Sequence, residues 1–306
     1  MPSDPCSSPA PHLHAGASAS QAGPALPLLC ATLAAAAFVG MDTVIKLLAL
    51  RYETVQLSFF RFAAGCLFAI PLWLWRRTPL PSGRAWRPHV LRSAFLLCSL
   101  LGYFHGLTRL PLALTVTISY LSPIFVAVLA GPVLGERPSR GVWLALAAGL
   151  SGVLVSVWPE LTAGVADLPA SRLPAMASVA LAALSFAGVL LLARRQARHD
   201  SVWTILLVQS LLPMLALAAP AAWFWRAVPA ADFGLIVLAG GLGTAGLLAL
   251  TFAFTRLEAS RIAPLDYTGF GWAALLGYLL FGEVPTVTTA ASALLIIGGC
   301  LLLLRR

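Results

Sequence analysis

The sequence predicts an all-α integral membrane protein, ten transmembrane helices set out as two inverted five-helix repeats. Three observations lead there: the chain is too apolar for a soluble domain, its apolar residues fall into ten runs of spanning length, and its second half repeats its first. Of 306 residues, 59% are apolar and only 10% charged, with mean hydropathy +0.89. Soluble domains run at about 45–50% apolar and about 25% charged. Disordered chains, secreted disulfide scaffolds and cytosolic enzymes are thereby excluded. Five cysteines (Cys6, Cys30, Cys66, Cys98, Cys300) occur singly, without zinc-type spacing or CxxC pairing, so no metal site, disulfide framework or cofactor is expected.

Taken in order, residues 1–25 are rich in Pro, Ser and Ala and carry no Lys or Arg. They lack the basic stretch that precedes the apolar part of a cleaved signal peptide, and read as a disordered cytoplasmic tail. The apolar runs then cover residues 26–50, 55–75, 90–107, 112–134, 141–158, 173–193, 201–225, 233–254, 262–281 and 286–304. Each must be helical: hydrocarbon offers no hydrogen-bond partner to an open backbone, and the runs lack the period-2 alternation of barrel strands. They divide into a first five-helix unit, 26–160, and a second, 161–306.

Arginines set the orientation. With the N-terminus inside, fourteen fall on the cytoplasmic side (Arg76, Arg77, Arg84, Arg87, Arg92, Arg137, Arg140, Arg194, Arg195, Arg198, Arg256, Arg261, Arg305, Arg306) and four outside (Arg51, Arg109, Arg172, Arg226). That bias places both termini in the cytoplasm. The net charge of +9 is therefore topological, and nucleic acid is not an expected partner.

At an offset of 147 residues, Thr108-Arg109-Leu110 lies over Thr255-Arg256-Leu257, Tyr120 over Tyr267, and Gly135-Glu136-x-Pro138 over Gly282-Glu283-x-Pro285. Leu and Ala match by chance in such a composition, whereas Thr, Arg, Tyr, Glu and Pro do not. Five crossings per unit is an odd number, so the second unit is inverted. Carriers of this kind hold their solute near the midplane, between the repeats.

The five-plus-five helices and the twice-used Gly-Glu-x-Pro turn, followed by Gly149 and Gly152 and by Gly298 and Gly299, resemble the EamA-type branch of the drug/metabolite transporter superfamily. Asp42-x-x-x-Lys46 and Ser58-Phe59-Phe60-Arg61-Phe62 are further similar to its bacterial importers of S-adenosylmethionine and riboflavin. The resemblance implies alternating-access transport of a small organic solute across the bacterial inner membrane without ATP. The sequence agrees in having no GxxxxGK[ST] motif.

An ionisable residue within a span is costly and points to function. Asp42 and Lys46, four residues apart on one helix, share a face and are placed to pair, as a brace or as a ligand set. Arg61, about 9 Å inside its span at 1.5 Å per residue, either snorkels or meets a solute carboxylate or phosphate. Asp266 opens the ninth span beside Pro264, either capping the helix or carrying a proton. Tyr120, Tyr267 and Trp272, with Tyr103 and Phe125, supply aromatic surface suited to a flat heterocycle or to packing. His105 is either a proton-handling candidate or a core histidine. The expected substrate-binding set is thus Asp42, Lys46, Arg61, His105, Tyr120, Asp266, Tyr267 and Trp272, with no catalytic group. Glu136 and Glu283 are expected to order a turn and cap the next helix.

Pro123 and Pro213 interrupt spans, and the glycines at 240, 241, 243 and 246 permit close helix approach. Gly241-x-Gly243-x-x-Gly246 formally matches a dinucleotide fingerprint but follows no strand, which excludes that use. Protease signatures such as HExxH are missing from the sequence. The leading expectation is import of a heterocyclic metabolite such as S-adenosylmethionine or riboflavin, proton-coupled or driven by its own gradient, by a monomer or homodimer. Alternatives are an exporter of amino acids or toxic metabolites and, in another class, a lipid scrambler or membrane assembly factor.

Overall fold

A computed structural model describes residues 25–49, 51–107, 109–110, 115, 118–165, 173–281, 291, 294–295 and 297–299. The tail expected over 1–25, the Gly282-Glu283-x-Pro285 turn and most of the tenth run lie outside the described residues. Among the described residues every regular element is helical. The long ones are α1 (Ala25–Leu48), α2 (Thr54–Arg76), α3 (Trp86–Leu107), α4 (Ser122–Leu134), α5 (Arg140–Val165), α6 (Leu173–Ala197), α7 (Val202–Trp223), α8 (Ala230–Arg256) and α9 (Thr268–Phe281). Five of them, α1, α2, α6, α7 and α8, are long and apolar enough to cross a membrane, and α4 is a shorter apolar helix.

Large apolar side chains stand exposed along the outer faces, among them Leu29, Leu33, Leu67, Leu74, Leu181 and Leu215. In water such a surface would drive association; against lipid it carries no penalty. The helix ends follow local chemistry. Ser201 caps α7 by accepting from the Trp203 amide at 3.3 Å. Gly135, at φ 71°, ends α4 with its amide on the carbonyl of Gly131.

Packing is dominated by contacts between the two halves. Helix α1 runs along α8, α3 along α6, and α2 along α7. Helix α2 also meets α8 and α3 meets α7, while α4 leans on α6 and α1 on α9. At Gly240 a Cβ would lie 2.6 Å from the carbonyl carbon of Ala64, so α8 and α2 touch backbone to backbone there. The other glycines of that run bring α8 against Phe38 and Met41 of α1 and Phe68 of α2. The main core gathers α1, α4, α5, α6, α8 and the segment before α9 around the fully buried Tyr267.

Candidate functional site

The ninth span, read from sequence as one helix over 262–281, is broken. A single helical turn, Ala259–Ile262, passes into a 3-10 stretch, Ala263–Tyr267, before α9 begins. Pro264 lies at the start of the 3-10 stretch and contributes no N–H, and tightened segments of this kind mark hinges. Asp266 and Tyr267 stand on this break. In the other half, Tyr120 lies in the turn just before α4.

The two tyrosines touch. Their ring centroids are 5.5 Å apart at 39°, and the Tyr267 hydroxyl donates to the Tyr120 carbonyl at 3.1 Å. Helix α5 comes so close that a Cβ at Gly149 would sit 2.7 Å from Cε2 of Tyr267.

Around this contact the structure assembles further polar groups. The Asp42 carboxylate of α1 and the Arg61 guanidinium of α2 act on each other electrostatically. Tyr103 of α3 lies within electrostatic range of Asp42, and Tyr120 within range of Asp266, Tyr103, Tyr267 and Asp42. Asp42 is exposed to solvent. Arg61, Tyr103, Tyr120 and Asp266 are each half-buried beside it. Two opposite fixed charges, a second carboxylate and three tyrosines could hold a zwitterion with a flat ring.

Five of the eight residues expected from sequence, Asp42, Arg61, Tyr120, Asp266 and Tyr267, are thus brought together. The other three are Lys46, Trp272 and His105. Lys46 is exposed one turn beyond Asp42 on α1. Trp272 lies half-buried on α9, and His105 is exposed at the far end of α3, with Arg109 donating to its ring at 2.6 Å. The Arg61 guanidinium also lies 5.2 Å from the centre of the Phe62 ring.

Glu136 caps a helix, but not the next one. Its Oε2 accepts from the Ala259 amide at 2.9 Å, at the turn leading into the broken span, and its Oε1 accepts from Arg194 Nε at 3.1 Å and Arg198 at 2.8 Å. Arg194 also donates to the Phe254 carbonyl. One buried carboxylate therefore ties the α4–α5 turn to the end of α6 and to the connection after α8.

Sequence reading missed the residues that join the halves at their ends. Asp232, buried in the first turn of α8, accepts from Arg51 at 2.5 Å and Tyr52 at 2.6 Å. Burial and that hydrogen bond to Asp232 push the Tyr52 phenol above its ordinary range, so it stays protonated and donating. Gln56 donates to the Arg226 carbonyl at 2.7 Å and accepts from its amide at 3.1 Å, and Arg226 reaches Glu53 at 3.1 Å. At the other end Thr204 donates to the Pro79 carbonyl at 3.0 Å, Arg92 donates to Gln196 at 2.9 Å, and His89 Nε2 lies 3.2 Å from Asp200. The available signal was Asp232, an acid just after Pro229 at the opening of an apolar run.

Among curated proteins, the chain is similar to a pseudopaline exporter of Pseudomonas aeruginosa, with 29% identity over 91% of this chain and 95% of the relative. It is similar also to an S-adenosylmethionine uptake transporter of Rickettsia prowazekii, with 25% identity over 86% and 87% of the two chains. A riboflavin transporter of Rhizobium johnstonii is 27% identical over 89% of each. A solved crystal structure shares the fold with a TM-score of 0.72 at 21% identity, over 91% of this chain and 95% of that one. The sequence model of the EamA-like transporter family matches residues 25–158 and again residues 173–305, and the chain belongs to that family of membrane transporters.

Proposed function

We propose that this chain is an alternating-access carrier of the bacterial inner membrane. Ten spans form two inverted repeats, 26–160 and 161–306, both termini lie in the cytoplasm, and the imported solute is a heterocyclic metabolite such as S-adenosylmethionine or riboflavin. The observation that carries this reading is the contact of Tyr120 with Tyr267, residues 147 apart in sequence. A residue that touches its own repeat mate lies on the axis relating the halves, which is where such carriers bind solute.

Packing supports the inverted relation. Exchanging the halves turns the α1–α8 contact into α6–α3, α2–α8 into α7–α3, and α4–α6 into α9–α1, and each of these contacts is present. The loop pairings agree with the expected sides: the 51–53 and 226 segments meet at one end, while 136, 194–198 and 259 meet at the other.

In this reading Asp42 takes a solute ammonium or sulfonium, Arg61 a carboxylate or phosphate, and the tyrosines stack the ring. Asp266 carries a coupled proton. Lys46, His105 and Trp272 belong to the approaches on either side. Export is the second reading, favoured by the 29% identity to a pseudopaline exporter.

Proteoliposomes loaded with one candidate solute at a time separate the two. Time-dependent accumulation of labelled S-adenosylmethionine or riboflavin, reduced at least tenfold by Asp42→Asn, is the expected result. Absence of flux for either solute, with wild-type folding, would remove the heterocycle assignment.

A further inference from the structure

The two ends of the molecule are built to one plan with the charges reversed. At the α1–α2 end, the loop supplies the donors, the Arg51 guanidinium and the Tyr52 phenol, and the first turn of α8 supplies the acid, Asp232. At the opposite end, the α6–α7 loop supplies the acid, Asp200, and the first turns of α3 supply His89 and Arg92. These are corresponding elements of the two halves. The side-chain clasps behind them correspond as well. Gln56, at the start of α2, donates to the carbonyl of Arg226, and Thr204, at the start of α7, donates to the carbonyl of Pro79, which is residue 226 less 147.

The two ends differ in how well their polar groups are satisfied. Asp232 accepts from two donors, and Gln56 uses both ends of its amide. At the α3–α6 end, Arg92 Nε, Ser93 Oγ, Gln196 Nε2 and His89 Nε2 are buried without a hydrogen-bond partner among the described residues. The His89 ring nitrogen lies 3.2 Å from the Asp200 carboxylate. Arg92 is only 2% exposed, its bonded neighbour is the neutral Gln196, and no described carboxylate lies within 4 Å of it. Buried donors are paired nearly everywhere in folded proteins. These four groups, buried at one end of the molecule, gain hydrogen bonds when water reaches them.

We propose that His89, Arg92, Ser93, Gln196 and Asp200 form the cytoplasmic gate of the carrier, the polar seal between α3 and α6 that parts when the central space opens inward, and that Arg51, Tyr52 and Asp232 form its external counterpart. The proposal rests on the alternating-access reading above and adds to it the residues that close each side. Opening the inner gate hydrates the Arg92 guanidinium, the Ser93 hydroxyl, the Gln196 amide and the His89 imidazole. Opening the outer one breaks two good hydrogen bonds and exposes the Asp232 carboxylate. The inner side is therefore the more readily opened of the two in the absence of solute.

The test reads distances in the full-length protein in liposomes, on a cysteine-free background and with no solute present. Spin labels go at Arg87 and Arg195, exposed positions near the inner ends of α3 and α6, or at Ala49 and Ala231, exposed positions near the outer ends of α1 and α8. Asp200→Asn and Gln196→Leu are each expected to add a longer-distance population to the 87–195 pair and leave the 49–231 pair short. Asp232→Asn is expected to do the reverse. Unchanged 87–195 distances in both inner variants, or simultaneous widening of both pairs, would overturn the proposal. Should Asp200→Asn not fold, Gln196→Leu and Ser93→Ala carry the same measurement. Because no solute is added, failure here leaves the central site and its uptake assay to be judged separately.

Discussion

Tyr267 shows how much one side chain settles. It is completely buried, its hydroxyl is spent on the Tyr120 carbonyl, and α5 passes so close that only glycine fits at position 149. Gly149→Ala must move either the ring or α5, which costs about 1–3 kcal/mol for overpacking of this kind. The expected outcome is a lower melting temperature in detergent together with impaired uptake, since the displaced ring belongs to the central site. Beside it, Asp266 sits half-buried on a 3-10 stretch. Asp266→Asn preserves size and removes the group proposed to carry a proton. Uptake driven by an inward proton gradient should therefore lose its dependence on external pH, with melting unchanged. Persistence of proton-driven uptake in that variant would take the proton role from this residue. The electrostatic coupling of Asp42 with Arg61 was within reach of sequence only in part. Each charge announced itself by its cost in a span, but Asp42 and Lys46, four apart on one helix, offered a nearer apparent match, and sequence spacing does not report contacts between helices.

At the scale of elements, the informative features are interruptions and junctions. Composition located α1, α2, α6, α7 and α8, the five described helices long and apolar enough to cross a membrane, because hydrocarbon imposes the same demand on each. The break in the ninth span was not legible beyond Pro264, since its 3-10 geometry is held by tertiary contacts that composition does not encode. Glu136 gives the clearest case. Its Gly-Glu-x-Pro setting reads as a local cap, whereas the carboxylate reaches 123 residues along the chain to the Ala259 amide and holds Arg194 and Arg198 on the way. Its side chain is 3% exposed, so Glu136→Gln leaves Arg194 buried without its counter-charge and weakens the cap. A loss of about 3 kcal/mol follows from breaking one side of a buried pair, discounted because Arg198 is partly exposed. The measurement is thermal melting. Glu136→Gln should fall well below wild type, while Glu53→Gln, an exposed partner of Arg226, should change it by less than about 1 kcal/mol.

Over the whole molecule, fold and orientation rest on different physics and need separate tests. The helix contacts already map onto themselves when the halves are exchanged, a property of packing that holds whichever way the protein faces. Orientation comes only from the arginine distribution, fourteen against four, and from the cost of translocating cationic loops. The two arguments meet in the ion pairs. The same fold that draws Arg226 onto Glu53 draws Arg198 onto Glu136, so the first cluster must face one side and the second the other if each half crosses an odd number of times. Single cysteines at Arg84 and at Trp225, both in exposed connecting segments, convert this into a measurement in intact cells. A membrane-impermeant maleimide should label position 225 at once and position 84 only after the membrane is opened. The reverse pattern would invert the orientation and exchange the inner and outer gates while leaving the carrier intact. Labelling of both positions from outside would place α2 and α7 in register with the same face, and no inverted pair of five-helix units could then be built from this chain.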